Sequence, residues 1–259
     1  MTTVAAPTTG TQQGFALDPA EAARFQEEGY LGPYTLCTHA EMADVARRIE
    51  AEVLTTDGPN PRNRLQCRHL DRKVVWDVVS RPEVVDRMAS LYGPDLLLWA
   101  TYFFVKEPGG KEIPWHQDFN YWPIEPFVNL SAWIAVDPAT VENSCVNVIP
   151  GSHRRVVPHV PSRDGMAFGE EADPSFVDAS KAVSMELEPG QFFLFNERLL
   201  HQSEPNRSQK RRMGLTMRVT VPFVKITHDI PPLFPGHTAT LLRGRDYMGF
   251  NRLAPPPDA

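Results

Sequence analysis

The fold of this chain is constrained most by a change of pattern after Pro94, where helical spacing gives way to short runs rich in β-branched and aromatic residues. These runs are residues 96–106, 127–136, 145–149, 183–187, 191–195 and 215–226. Turn-forming clusters separate several of them: Pro108-Gly109-Gly110, Pro150-Gly151-Ser152 and Pro189-Gly190. Short strands with such turns are typical of a β-sandwich or barrel. We therefore predict a mainly β fold with supporting helices.

The chain before Pro94 predicts those helices. Asp18 and Thr38 each stand three residues before a glutamate, which is the spacing of a capping box, and apolar residues then recur at helical spacing. A third periodic segment, residues 82–92, ends at Gly93-Pro94, a helix stop signal.

The charge of the chain argues against nucleic acid or a membrane as a partner. The 259 residues carry a formal net charge of −6, and no uninterrupted apolar stretch is long enough to span a bilayer. The first 14 residues lack the basic flank and apolar core of a signal peptide. We expect a cytoplasmic protein that acts on a small molecule.

The length fits one domain with two tails. Residues 1–14 carry almost no large apolar groups and are predicted to be a disordered tail, followed by a single domain at 15–253 and a Pro-rich tail at 254–259. Within the domain, residues 154–181 are polar and weakly periodic. Because connections of this length are usually functional or disordered, we interpret this segment as a candidate lid.

Two histidines and an aspartate indicate a metal site. His116 and Asp118 are separated by one residue, and His201 follows another predicted strand, 201 − 118 = 83 residues later. Two neutral imidazoles and a carboxylate on one face suit iron(II), because three coordination positions stay open for a chelating co-substrate and dioxygen. Zinc could use the same ligand types.

Arg212 adds independent support, since it stands 212 − 201 = 11 residues after His201. With a turn at Pro205-Asn206 between two antiparallel strands, the arginine returns beside the metal, where its planar guanidinium could bind a carboxylate bidentately. A 2-oxoacid with a distal carboxylate fits this arrangement. The neighbouring Lys210, and Arg211 less clearly, fit a solvated hairpin edge.

Together these motifs resemble the phytanoyl-CoA dioxygenase family, which are iron(II)- and 2-oxoglutarate-dependent oxygenases built on a double-stranded β-helix, a cupin-like jelly roll. The resemblance covers roughly residues 95–253 and is carried by segments 115–118, 142–153 and 201–218. Ser144 departs from the family pattern, which often has a glycine there, and the departure concerns the local turn geometry.

The resemblance implies a role for each motif residue. The implied iron ligands are His116, Asp118 and His201. Those implied for 2-oxoglutarate are Arg212 and Ser203, which would hold its distal carboxylate, and Trp133, which would line its pocket.

Candidate substrate contacts come from strand alternation and from the stretch after Asp118. Period-two alternation puts Tyr102 and Phe104 on one face of the strand at 96–106, and similarity to the family suggests that this face lines the cavity. Asn120 and Tyr121 follow the metal carboxylate, so we place them on the rim of the active site.

The function implied is a dioxygenase that uses Fe(II), 2-oxoglutarate and O2 to hydroxylate an aliphatic C–H bond of a small polar or natural-product substrate, with release of succinate and CO2. A halogenase of the same fold needs a small residue in place of the metal carboxylate, and Asp118 argues against it. Desaturation, ring closure and a non-catalytic metal-binding sensor stay open.

Overall fold

The computed structural model describes residues 14–258 of the chain. The predicted disordered tail at 1–14 lies outside these residues except for Gly14. The boundaries predicted for the single domain, 15–253, and for the Pro-rich tail, 254–259, stay predictions.

The described residues form four α-helices: α1 Pro19–Glu28, α2 His39–Glu52, α3 Lys73–Val79 and α4 Pro82–Tyr92. Asp18 and Thr38 cap α1 and α2 with complete capping boxes, and α4 has the predicted bounds, so these three helices are confirmed. The sequence analysis missed α3 because four valines among its residues are typical of a strand. Between residues 14 and 258, no helix combines the length and apolar character that a membrane span requires.

The strands lie mostly after α4, as predicted. Their bounds are β1 Tyr30–Thr35, β2 Leu96–Lys106, β3 Ile113–His116, β4 Ile124–Glu125, β5 Leu130–Ala135, β6 Val146–Val148, β7 His159–Pro161, β8 Glu170–Ala172, β9 Val183–Met185, β10 Gln191–Asn196, β11 His201–Ser203, β12 Arg212–Thr220, β13 Lys225–Ile226 and β14 Thr240–Arg243. The run predicted at 215–226 is divided between β12 and β13. The sequence analysis missed β1, which contains Gly32-Pro33; an edge strand tolerates proline because one side has no ladder.

Two antiparallel sheets form the body of the fold. The larger has the order β1-β10-β5-β12-β2-β14, and the smaller has the order β3-β11-β6-β9. Their inner faces share one apolar cluster, in which Trp133 and Phe193 of the larger sheet pack with Val146 and Met185 of the smaller. The helices pack on the outer face of the larger sheet, where Val85 and Met88 of α4 join the main core. Two facing sheets with helical support are the architecture of a jelly roll, which confirms the predicted fold class.

The candidate lid, residues 154–181, is folded rather than featureless. It contains the hairpin β7–β8 and the 3-10 turns Pro174–Phe176 and Ala179–Lys181. The guanidinium of Arg163 lies 3.1 Å from a carboxylate oxygen of Glu112, just before β3, and the Ala167 N–H donates to the Glu112 carbonyl at 2.8 Å. The segment thus lies beside the strand that carries His116. Its opening and closing stay a prediction.

Candidate active site

Strand pairing between β3 and β11 brings the two histidines together. His116 and His201 are direct partners in the antiparallel register, and their ring centroids are 4.1 Å apart. Asp118 begins a 3-10 turn after β3. Its Oδ1 atom lies 3.6 Å from Nε2 of His116, and its Oδ2 atom lies 3.9 Å from Nε2 of His201. One ligand atom from each residue lies within 4.8 Å of the others, so the three side chains can share one metal ion.

Backbone carbonyls fix the orientation of both imidazoles. Nδ1 of His116 lies 2.8 Å from the Pro114 carbonyl, and Nδ1 of His201 lies 2.9 Å from the Leu199 carbonyl. A carbonyl only accepts, so each Nδ1 donates its proton and each Nε2 keeps a free lone pair for a metal. Burial, and then the neighbouring His116, lower the pKa of His201 to about 4, which keeps its ring neutral at pH 7.

Arg218 pairs with the carboxylate of this cluster. Its guanidinium lies 3.4 and 3.5 Å from the two oxygens of Asp118, and both side chains are buried. Burial works to raise the pKa of Asp118, but Arg218 and the two histidines outweigh it and hold that pKa well below its usual range. Asp118 is therefore ionised at neutral pH, as a metal ligand must be.

Arg212 is a second buried cation, in the same strand as Arg218. It is 1% exposed, its Nε donates to the Ser144 carbonyl at 3.0 Å, and it lies over the Trp133 ring at 5.4 Å. Across residues 14–258, no carboxylate oxygen lies within 4.0 Å of this guanidinium. Burial lowers the pKa of Arg212 to about 10, so its guanidinium stays charged at pH 7.

Trp133 reaches this position because Gly214 lies beneath it. A Cβ atom at residue 214 would come within 2.0 Å of the Trp133 ring. Any side chain at Gly214 would therefore displace the ring from the wall next to Arg212.

Ser203 lies on β11 and is held by a buried lysine. Nζ of Lys106 donates to the Ser203 hydroxyl oxygen at 2.7 Å and to the carbonyls of Ser203 and Glu204 at 3.2 and 2.8 Å. Because this hydroxyl accepts from Lys106, its own proton can be donated elsewhere. Burial, and then the charge of Arg212, lower the pKa of Lys106 to about 7.

All six predicted metal and co-substrate residues line one cavity between the sheets. Phe104 lines it too, and Tyr102 and Tyr121 line an adjoining space that Phe104 shares. Asn120 is exposed, and it is not among the described residues that line either space. Its side-chain Nδ2 lies 3.5 Å from a carboxylate oxygen of Glu170. The proposed substrate contacts are thus brought to the site except for Asn120, and their roles stay predictions.

Comparison with known proteins assigns the chain to a family. The family profile described as Phytanoyl-CoA dioxygenase (PhyH) matches residues 25–214. The chain belongs to the phytanoyl-CoA dioxygenase family. The family that the motifs predict is confirmed.

Individual members and solved structures agree with this assignment. "Dioxygenase lolE1" of Epichloe uncinata is 31% identical over 139 residues, which cover 54% of this chain and 52% of that protein. The chain spans about half the length of the curated relatives it matches. The apo structure of the non-heme monooxygenase ThoJ is 27% identical with a TM-score of 0.79, covering 92% of this chain and 88% of that one. The structure of CytC3 with Fe(II) and alpha-ketoglutarate is 27% identical with a TM-score of 0.74, covering 93% and 94%.

Ser144, which departs from the phytanoyl-CoA dioxygenase pattern, has a backbone conformation that favours glycine. Its φ is +79°, in the left-handed region where glycine is favoured. In this conformation its carbonyl accepts from Arg212, and its hydroxyl donates to the Glu204 carbonyl. These contacts hold a conformation that costs roughly 1 kcal/mol for a residue with a side chain.

The sequence analysis missed Arg218 and Lys106 as members of the site. Arg218 stands six residues after Arg212 on β12, and an even separation places both on the same face of a strand. That spacing could have suggested a second cavity-facing cation. Lys106 ends β2 directly opposite Arg212 in the register, which sequence spacing alone does not disclose.

Proposed function

We propose that this chain is an Fe(II)- and 2-oxoglutarate-dependent oxygenase that hydroxylates a C–H bond of a small organic substrate. One observation carries the proposal. A single cavity holds two imidazoles with free Nε2 atoms, an ionised carboxylate and, on the facing sheet, a buried arginine that has no carboxylate within 4.0 Å among residues 14–258. A metal next to a buried guanidinium suits a chelating 2-oxoacid, because the guanidinium could bind its distal carboxylate.

His116, Asp118 and His201 would hold the metal. Their donor set, two neutral nitrogens and one carboxylate oxygen, is the type that leaves positions open on iron(II). Arg218 would keep the Asp118 carboxylate ionised and oriented through its paired contacts. The similar structure that contains Fe(II) and alpha-ketoglutarate favours iron over zinc.

Arg212, Ser203 and Trp133 would hold the co-substrate. The guanidinium would pair with the distal carboxylate of 2-oxoglutarate, the Ser203 hydroxyl would donate to the same group, and Trp133 would form the wall beside it. Lys106 would orient Ser203 and add positive charge behind it.

Iron(II), 2-oxoglutarate and dioxygen together supply the oxidant that breaks a substrate C–H bond, with release of succinate and CO2. The protein contributes the position of the substrate, which decides which carbon reacts. Asp118 is retained as a carboxylate paired with Arg218, which favours oxygen transfer over the halogenase alternative.

The proposed reaction predicts iron-dependent succinate formation. With Fe(II), dioxygen and 2-oxoglutarate, we expect slow release of succinate and CO2 that a true substrate accelerates, because its arrival completes the site. Mass spectrometry of the product under ¹⁸O2 should show one added labelled oxygen. A product two hydrogens lighter would indicate desaturation or ring closure, and a chlorine isotope pattern would indicate halogenation. No succinate with any iron loading would contradict the proposal.

The Lys106–Ser203 pair predicts proton uptake when 2-oxoglutarate binds. The pKa of Lys106 is lowered to about 7, and a bound dianion favours the charged lysine, so the complex should take up a proton above pH 7. Affinity for 2-oxoglutarate should therefore fall as pH rises through about 7 to 9. Calorimetry in buffers with different ionisation enthalpies measures the uptake.

Lys106→Met should remove this proton uptake and weaken 2-oxoglutarate binding on the order of tenfold, or about 1.4 kcal/mol. The matched control is Lys111→Met, since Lys111 is exposed on the loop that follows β2. An unchanged proton uptake in Lys106→Met would show that another group titrates.

A further inference from the structure

A second space adjoins the metal cavity, and we call it the outer chamber. Phe104, Asp118, Phe168 and Arg218 line both spaces, so they form the boundary between them. On its far side the outer chamber is lined by Tyr102, Tyr121 and Trp122, among others. A molecule in this chamber would lie next to the Asp118 carboxylate, on the opposite side from Arg212 and Ser203, which line only the metal cavity.

Five aromatic side chains form a large part of the wall of the outer chamber. Tyr102 and Phe104 are stacked with centroids 5.7 Å apart, and Phe168, from the candidate lid, lies with its ring edge-on to His116 at 5.0 Å. Tyr121 approaches Phe168 at 6.4 Å. Such walls offer a large apolar contact area with defined flat surfaces.

The charges in this wall cancel each other. Of the described residues that line the outer chamber, Asp118 and Arg218 alone are charged, and they face each other at 3.4 Å. The Arg218 guanidinium also lies over the rings of Trp122 and Tyr102, at 4.6 and 5.2 Å. A charged ligand would lose its hydration here without gaining a partner of opposite charge.

Two buried polar groups in the wall have no hydrogen-bond partner within residues 14–258, namely the hydroxyl oxygen of Tyr121 and Nε of Arg218. Nε of Arg218 only donates, so a hydroxyl or carbonyl oxygen on the ligand could accept from it. A hydroxyl or carbonyl group could also supply the partner of Tyr121, since a phenol both donates and accepts.

We propose that the outer chamber is the substrate site and that its substrate is an uncharged molecule with an apolar ring framework and one hydrogen-bonding group. This inference rests on the proposed function. It disfavours free amino acids and phosphonates, whose charges would be buried unpaired. It also disfavours a coenzyme A thioester, because Arg218, the one cation among the described residues that line the chamber, is already paired with Asp118.

Matched probes of different charge test the proposal. The probes are 1-adamantanol, 1-adamantylamine and 1-adamantanecarboxylate, with the smaller set cyclohexanol, cyclohexylamine and cyclohexanecarboxylate. They are added to the anaerobic protein with Fe(II) and saturating 2-oxoglutarate, and binding is measured by equilibrium dialysis. At least one alcohol should bind roughly tenfold or more tightly than its charged counterparts. The reason is that burying an unpaired charge costs more than the roughly 1.4 kcal/mol that corresponds to a tenfold difference in affinity.

Variants locate the binding. Phe168→Ala should weaken binding of the alcohol roughly tenfold by removing a ring from the wall. The matched control is Phe176→Ala, which removes a 39% exposed ring from the same segment and should have no effect. Tyr121→Phe should weaken the alcohol only a few-fold through the lost hydrogen bond.

Three results would overturn the proposal: equal or tighter binding of a charged probe, binding by neither alcohol, and equal effects of Phe168→Ala and Phe176→Ala. The metal-to-ligand charge-transfer band of the iron complex with 2-oxoglutarate reports the proposed function separately. An absent band with selective alcohol binding would reject the co-substrate assignment and retain the chamber. A normal band without alcohol binding would reject the chamber as the substrate site and retain the co-substrate assignment.

Discussion

Replacing either His116 or His201 with alanine is expected to abolish the visible charge-transfer band that anaerobic protein should form with Fe(II) and 2-oxoglutarate. The Nδ1–H of each ring donates to a backbone carbonyl, that of Pro114 or Leu199, so each Nε2 is free to bind the same metal ion. Loss of a residue that only supports a metal ligand costs about 10–100-fold in affinity, so loss of a ligand should cost at least that. Titration of Fe(II) with the band as signal measures the effect.

His153→Ala is the matched control for these variants. His153 lies in the 3-10 turn Ser152–Arg154, where its Nε2 contacts the Gln26 carbonyl, and it is not part of the metal cluster. Its replacement should leave the band intact. Thermal unfolding of all three variants separates lost metal binding from lost structure, and an undiminished band in either ligand variant would remove that histidine from the metal site.

Arg212→Met is expected to weaken 2-oxoglutarate binding by roughly 10²–10³-fold while Fe(II) still binds. Removing one partner of a buried, hydrogen-bonded charge pair costs about 2–5 kcal/mol, and each 1.4 kcal/mol is a factor of ten. The large effect is expected because the guanidinium is 1% exposed and has no carboxylate partner within 4.0 Å among the described residues. The affinity follows from titration of the charge-transfer band with 2-oxoglutarate.

Arg211→Met provides the control for Arg212, since the two residues are neighbours on opposite faces of the chain. Arg211 pairs with Asp137 and Glu50, both at 2.8 Å, on the outside of the protein. Its loss should change 2-oxoglutarate affinity little, because Arg212 lines the metal cavity and Arg211 is not among the described residues that do. If Arg211→Met weakens the affinity more than Arg212→Met, the predicted strand register is wrong.

Local pattern predicted the helices and strands that have their own signals. Capping boxes at Asp18 and Thr38 and the periodic segment 82–92 correspond to real helices, because capping and amphipathic spacing act within a few turns of chain. Helix α3 was missed since its valines favour a strand locally, and burial of Val74 and Val75 outweighs that preference. Tertiary packing therefore decided this element.

The same division applies to the candidate site. The sequence determined which groups are present: two histidines, a carboxylate and an arginine at spacings that resemble a known family, together with strand runs that could bring them to one cavity. Their convergence depends on the pairing of β3 with β11 and of β12 with β2 and β5.

Only the tertiary structure decided which residues far apart in the chain contact each other. Arg218 with Asp118 and Lys106 with Ser203 join residues 100 and 97 positions apart, and the outer chamber combines residues from Asn63 to Pro232. Alternation along a strand tells which face a side chain is on, but its neighbour across the cavity depends on register and sheet packing. For that reason the candidate metal ligands could be named from the sequence, whereas the charge balance around them required the folded chain.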